Sequence, residues 1–240
     1  MSEYKYNKPS LLEMYAGVKL TKAKLSVDSW FGLFPKFQSI GLGLPEISSS
    51  IDLSVGGHTL SAASTGFRCW NESKTRLVQI SASEITVNFV KDYPGWASFY
   101  EFLKKVLKVV NEVKKVDISS ISLTAKNEAV IADGNFMLGS YLICDGELIP
   151  KKYQNSRFPS DISLGEGILE ADNFNEQVRV AVRKNGETVT LQFDLSFKKP
   201  LINGQEYSDL LNDLHDLTLS RFEKVISEKY RKEVLGGLHS

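Results

Sequence analysis

The chain of 240 residues has only two cysteines, three histidines and seven prolines, and its 29 Lys and Arg are matched by 29 Asp and Glu. Each scarcity removes a class of protein. Cys69 and Cys144 are far apart and neither sits in a CxxC pair, which argues against a disulfide framework or a zinc ribbon. Both are read as reduced, partly buried thiols packing as small hydrophobes. None of His58, His215 and His239 stands in HExxH, in a Cys/His cluster or beside a GxSxG serine, so no familiar catalytic or metal signature is present. Zero formal charge argues against histone-like nucleic-acid binding and against an acidic tail, leaving local patches open. No window approaches the roughly 18 uninterrupted apolar residues of a membrane span. The opening residues 1–9 also lack a signal peptide's apolar core. A cytoplasmic protein with no membrane association is expected. Gly41-Leu42-Gly43-Leu44-Pro45 and Gly165-Glu166-Gly167 continue neither as GxGxxG nor as a phosphate loop. They read as turn or bulge glycines, and no cofactor is expected.

What is present is an ordinary globular composition, 42% hydrophobic and 10% aromatic, in a chain long enough to bury roughly 70–75% of its unfolded surface. Leu12, Met14, Ala16, Val18 and Leu20 alternate with other residues, the period of a half-buried strand. Ser26 caps a short helix through Trp30, Phe31 and Phe34 that is expected to end near Pro35. Strand-like runs follow at 50–55, 66–70 and 77–89, the last with a turn at Ser81-Ala82-Ser83, forming an antiparallel meander. Asp92, Pro94 and Gly95 then open a helix to about Val113, its stripe formed by Trp96, Phe99, Leu103, Val106, Val110 and Val113.

A second round begins at Asp117 with a strand around Ile121, Leu123 and Ala125, an irregular or helical stretch at 148–153, and a glycine-broken strand at 162–170. Residues 177–195 read as a hairpin turning on Asn185-Gly186. That turn sets Lys184 opposite Glu187, Val182 opposite Val189, Val180 opposite Leu191 and Val178 opposite Phe193, and makes one face apolar. A last helix is expected over 207–234, with acids at its front, bases at its rear and Gly236-Gly237 as its cap.

Set side by side, residues 11–115 and 117–234 each read strand, short helical or irregular segment, three antiparallel strands, long helix. The expected fold is therefore α+β, with antiparallel sheets each packed by a long amphipathic helix. An internal duplication would divide the chain into halves 1–115 and 116–240 packed as one globular unit. A groove between such halves is the default place for a small ligand.

An ordered set of residues carries a resemblance: Pro9-Ser10-Leu11-Leu12-Glu13, Gly66-Phe67-Arg68, Val78-Gln79-Ile80, Tyr93 with Trp96 and Phe99, Asn127 after a strand, and Phe193-Asp194-Leu195. Asp213-Leu214-His215, Arg221-Phe222-Glu223, Ile226 and Lys229-Tyr230-Arg231 complete it. Together they resemble a sporadically distributed family of uncharacterised bacterial proteins of similar length, known by a serial number. Members of that family carry an Arg-Tyr pair shortly before the matched Asn, where this chain has Thr124-Ala125-Lys126. The resemblance implies no catalytic residues. Its patchy occurrence implies accessory genes of defence islands, toxin–antitoxin pairs or mobile elements.

Three constellations remain. Trp30, Phe31 and Phe34, with Phe37, serve either as core or as a groove for a partner. Lys104, Lys105, Lys108, Lys114 and Lys115 on the helix at 95–115 outnumber Glu101 and Glu112, and form either a solvated face or a contact for a partner or nucleic acid. His215 lies between Asp213 and Asp216, but neighbours at i+1 and i+2 on a helix point apart, so the cluster reads as a polar surface rather than a catalytic base. The sequence thus points away from an enzyme. It points to a protein-binding module, a regulator, antitoxin or accessory subunit of a bacterial defence or mobile-element system. Nucleic-acid binding through the lysine face is the alternative, and homo-oligomerisation stays open.

Overall fold

A computed structural model describes Tyr6 and Leu25 together with residues 10–21, 27–50, 64–91, 93–157, 162–169, 174–185, 188–202 and 205–237. Ser26, Asp92, Gly186, His58, His239 and most of the expected strand at 50–55 lie outside these described residues.

Among the described residues there are nine strands: β1 (Leu11–Leu20), β2 (Glu46–Ser50), β3 (Ser64–Trp70), β4 (Arg76–Ser81), β5 (Glu84–Val90), β6 (Ile118–Ile131), β7 (Ile162–Leu169), β8 (Phe174–Asn185) and β9 (Thr188–Pro200); all but β2, which is mostly serine and not expected, fall on runs that the sequence marks. They form one antiparallel sheet in the order β2-β3-β4-β5-β1-β6-β9-β8-β7, so the chain is α+β. The antiparallel sheets expected from the sequence are thus joined into one. β1 and β6 are neighbours in that order, with Glu128 N–H donating to Ser10 O and Thr21 N–H to Asp117 O, each at 2.8 Å. Pairing removes two long edges that would otherwise present open backbone. Among the described residues four α-helices accompany the sheet: α1 (Val27–Ser39), α2 (Trp96–Val113), the single turn α3 (Leu138–Tyr141) and α4 (Tyr207–Val225). Among the described residues no helix is long and apolar enough to cross a membrane.

By contact density the chain divides into two units, one made of Met1–Met14, Ser122–Pro200 and Gly204–Ser240, the other of Tyr15–Ile121 and Leu201–Asn203. In the second unit the meander β3-β4-β5 pairs Phe67 with Ile80 and Val78 with Val87. Ser81 Oγ accepts from Glu84 N–H at 3.1 Å and closes the expected turn. Asn71 Oδ1 accepts from Thr75 and Arg76 N–H at 2.9 and 2.8 Å, so one side chain orders the preceding turn. α2 starts after Gly95, whose φ of 102° favours glycine. Its buried stripe includes Phe99, Phe102, Leu103, Val106 and Val110, with Phe99 and Phe102 at 5.4 and 5.6 Å from the Phe89 ring on β5.

α1 does not end at Pro35 but continues to Ser39. Pro35 removes one backbone donor, yet the extra turn carries Phe37, which is fully buried at 6.1 Å from the Phe67 ring. Burying a phenylalanine stabilises by about 1.5–3 kcal/mol, which offsets that loss. The helix stops where Gly41 takes φ 87° and Leu42 N–H turns back to Phe37 O at 3.1 Å.

In the first unit, β8 and β9 form the expected hairpin with its apolar face intact, in a register that differs. Asn185 faces Thr188, Val182 faces Leu191, Val180 faces Phe193 and Val178 faces Leu195. The partners are displaced by two residues from the sequence expectation. Period-two alternation fixes only which face a side chain takes, and a two-residue displacement leaves every face unchanged. The observed register sets Arg179 opposite Asp194 where the expected one set it opposite Gln192, and an opposite-charge pair favours it.

The last helix is interrupted. α4 ends at Val225, Ile226 becomes extended, and a short π-helical turn follows at Tyr230–Val234. The interruption exists because the α3 segment docks there: Ile226 bridges Leu142, Ile143 N–H donates to Val225 O at 2.7 Å, and Ser227 N–H donates to Tyr141 O at 2.9 Å. Ser227 Oγ donates to Ser140 O and accepts from Tyr230 N–H, starting the next turn. Helical periodicity persists through this point, so the sequence pattern does not reveal the break. Gly236 and Gly237, at φ 70° and 75°, end the segment as expected.

Candidate functional site

The aromatic set divides by burial. Trp30, on the inner face of α1, is 4% exposed and its ring lies 5.4 Å from Phe67. Phe34 is partly exposed at 5.0 Å from the same ring, and Phe31, stacked edgewise on Phe34 at 5.7 Å, is 66% exposed. Across the strand pair from Phe67 stands Ile47, 75% exposed. Phe31, Phe34, Phe67 and Ile47 are thus linked step by step from solvent through the core to the outer strand β2. Nearby, Gly43 N–H donates to Trp70 O at 2.6 Å. The loop and the end of β3 enclose a notch of about 430 Å³ lined by Leu42, Leu44, Trp70, Asn71 and Lys74. Leu44 is 75% exposed. Glu46 takes a hydrogen bond from Arg68 at 2.7 Å, which holds its carboxyl below its usual range.

The lysines lie on or just after α2. Lys104 pairs with Glu101 at 2.9 Å and sits 5.0 Å over the Tyr100 ring. Glu112 is taken by Lys36 of α1 at 2.6 Å. Lys105, Lys108 and Lys115 are exposed, and Lys114 is extended backbone beyond the helix end. The face is therefore a mixture of paired and solvated charges.

His215 is not on a polar surface. It is 7% exposed, turned inward with Leu211, Leu214 and Thr218, while Asp209, Asp213 and Asp216 are exposed. Asp216 Oδ1 approaches His215 Nδ1 at 3.9 Å. Both cysteines are buried and free, and burial pushes each thiol up to about 11, so neither is an activated nucleophile. Among the described residues no group of three or more His, Cys, Asp or Glu could hold a metal ion.

The sequence reading missed a cavity in the first unit. It measures about 120 Å³ and lies among the start of β1, the middle of β6, α4 and the chain after the π-helical turn. Ser10, Met14, Asn127, Thr218, Phe222 and Leu235 are among its walls. On β6, Ile121, Leu123, Ala125, Asn127, Ala129 and Ile131 all point inward. Asn127 is the polar member of an otherwise apolar file, and that interruption was available as a signal. It is 3% exposed. Ser10 Oγ lies 3.4 Å from Asn127 Oδ1, whereas Asn127 Nδ2 finds no acceptor among the described residues. Thr218 Oγ1 is used within its helix, donating to Leu214 O at 2.8 Å.

Beside the helix break, Asp133 accepts from Lys229 at 2.8 Å and from Tyr141 Oη at 2.9 Å, and Lys229 sits 4.5 Å over the Tyr141 ring. The Lys229 hydrogen bond, followed by that from Asn135 N–H, brings the Asp133 carboxyl down to about 2. Tyr141 is pushed up to about 12, chiefly by burial. A depressed carboxylate contributes stability above its unfolded pKa of about 3.9 that is lost as pH falls through the native value. A raised phenol contributes below its unfolded pKa of about 10, and this is lost as pH rises through about 12. Thermal melts across pH should therefore show losses from about pH 4 down to 2 and from about pH 10 up to 12. Asp133→Asn should remove the dependence on Asp133 in the acid limb.

No family model and no curated protein matches the chain. Among solved structures it is similar to the di-domain ARO/CYC StfQ from the steffimycin biosynthetic pathway, at 12% identity over 89% of this chain and 95% of that one, with a TM-score of 0.24. A likeness at that score bears on neither fold nor function.

Proposed function

We propose that this protein is a non-enzymatic protein-binding module that takes an extended segment of a partner as an added strand on β2. The observation that carries this reading is the open outer edge of β2, which pairs on one side with β3 and, among the described residues, with nothing on the other. The strand contains neither the lysine nor the proline that commonly blunts an edge. Its exposed Ile47 continues the apolar series from Phe31 and Phe34. Backbone hydrogen bonds supply affinity in this mode, and alternate side chains of the segment, resting on Ile47 and in the notch beside Trp70, supply selectivity. The role as regulator, antitoxin or accessory subunit of a bacterial defence or mobile-element system rests on the family resemblance.

An internal duplication belongs to the same proposal. It is supported by the shared order of strand, helical segment, meander and long helix, and by neighbours: the first strand of each half lies beside its last, β1 by β5 and β6 by β9, and each meander continues outward from there.

The test is affinity purification of the tagged protein from its native host, compared with Ile47→Pro and Phe31→Ala. The wild type should retain a specific partner that Ile47→Pro loses and Phe31→Ala retains about tenfold less, with melting temperatures within a few degrees of wild type. Recovery of the wild type alone and monomeric, or full retention by Ile47→Pro, would count decisively against the edge.

A further inference from the structure

The outer edge of β2 has a direction, and its two ends differ. β2 runs from Glu46 to Ser50, antiparallel to β3. Directly before it stands Pro45, which has no N–H to offer a ladder. A strand added antiparallel, the pairing slightly more stable per residue, runs from Ser50 towards Glu46 and brings its C-terminal end to the notch beside Trp70. The notch lies at that end because the chain before β2 stays against the end of β3, through the Leu42 bridge to Asn71 and the Gly43 N–H bond to Trp70 O.

A cation is held at the notch. Asn71 Oδ1 fixes the turn after β3 by accepting from the N–H groups of Thr75 and Arg76, and Asn71 Nδ2 donates to the Ser73 and Thr75 hydroxyls. Within that turn Lys74 takes φ 56°, a conformation that favours glycine. Its Nζ stands 5.6 Å over the Trp70 ring. Among the described residues its only anionic contact is Glu46 Oε1 at 3.7 Å, beyond hydrogen-bond reach, while Glu46 Oε2 is taken by Arg68 at 2.7 Å. Leu42, Leu44 and Trp70 give the notch its apolar walls, and Glu72 is the other charged residue of its lining. Glu72 suits an amine, but an amino terminus reaches this end of β2 only on a parallel strand.

We infer, on the reading of β2 as a docking edge, that the added segment is the free C-terminus of the partner, its last side chain large and apolar against Leu42, Leu44 and Trp70 and its carboxylate on Lys74. An internal segment carries no backbone charge at this point and leaves the ammonium with its long contact to Glu46 alone. A terminal carboxylate supplies both a counter-charge and acceptor oxygens, and a hydrogen bond between charged groups is stronger than one between neutral groups.

The test titrates the full chain, by calorimetry, with hexapeptides of alternating threonine and valine. The first is N-acetylated and ends in phenylalanine with a free carboxylate; the second is its C-terminal amide; the third ends in alanine with a free carboxylate; the fourth begins with phenylalanine, has a free amine and is amidated. The first should bind about tenfold more tightly than the second or the third, and the fourth no better than the second. Lys74→Met should bind the carboxylate and the amide equally, and Ile47→Pro should bind neither. Equal binding of carboxylate and amide by the wild type, both lost in Ile47→Pro, would overturn the C-terminal assignment and leave the edge standing. Tightest binding of the free-amine peptide would put an amine at Glu72 and overturn it as well. No binding of any peptide, or binding undiminished in Ile47→Pro, would remove the edge and the assignment together. The comparison of carboxylate with amide on the wild-type chain is decisive by itself should Lys74→Met fail to fold.

Discussion

Arg221→Ala is expected to destabilise the protein by about 3–5 kcal/mol, read as a lowered midpoint in urea. Arg221 on α4 lies 3.1 Å from Glu176 on β8, and both side chains are largely buried, at 13% and 7% exposure. Arg221 also reaches Glu147 at 3.1 Å. Glu176 faces Phe197 across the strand pair, an apolar setting in which a carboxylate is costly. Burial already pushes its carboxyl above the usual range, and the Arg221 charge works against that push. Removing the guanidinium leaves a buried carboxylate uncompensated, and its pKa should rise further. A raised native pKa gives stability that is fully present below the unfolded value of about 4.3 and lost as pH rises through the native value. The deficit of Arg221→Ala relative to wild type should therefore shrink between pH 7 and pH 5. Exchanging both partners, as Arg221→Met with Glu176→Leu, should come within about 1 kcal/mol of wild type, since a buried ion pair stabilises little over an apolar pair of similar volume. A single-variant loss below about 1 kcal/mol, or a double variant as unstable as the single, would show that the pair is solvated.

Phe67→Ala is the second large effect, at about 3–5 kcal/mol. Phe67 is 1% exposed and is the ring onto which Trp30, Phe34 and Phe37 of α1 all pack, at 5.4, 5.0 and 6.1 Å. Its removal opens a cavity under the whole helix. In a chain of this size the melting temperature should fall by roughly 6–20 °C. Trp30 is buried in the wild type, so its fluorescence should shift to the red well below the global melt as α1 loosens. Phe67→Leu keeps most of the volume and should cost about 1–1.5 kcal/mol with little spectral change. An unchanged Trp30 signal in Phe67→Ala would mean that α1 is held by α2 instead, where Lys36 pairs with Glu112.

Much of this arrangement was legible because burial imposes a period. The inward file Met14, Ala16, Val18 and Leu20 of β1 and the stripe of α2 both follow their sequence patterns. What escaped is what periodicity does not encode. Alternation is blind to a two-residue displacement, so the β8–β9 faces were predictable and the register was not. A helical stripe says nothing of a distant segment bonding into it, so the break after Val225 was invisible. Pro35 signalled a stop that the burial of Phe37 overrode. At the site, Phe31 and Trp30 are adjacent and equally aromatic, yet one is in solvent and the other in the core, since one helical step rotates a side chain by about 100°. Asn127 could have been singled out, for it interrupts an apolar file, but its missing partner is a fact of three dimensions.

The break in α4 has a consequence for how this unit opens. Ile143 and Ser227 donate their backbone protons across it to Val225 and Tyr141, so each segment depends on the other for part of its protection. Local unfolding proceeds in cooperative pieces defined by shared hydrogen bonds. The turn at Tyr141 and the far end of α4, more than 80 residues apart along the chain, are therefore a single opening unit. Release of that unit frees Tyr230 and Leu235 together, and with Leu235 one wall of the cavity. The splice in the helix thus joins the opening of two segments that are distant in sequence into one local event.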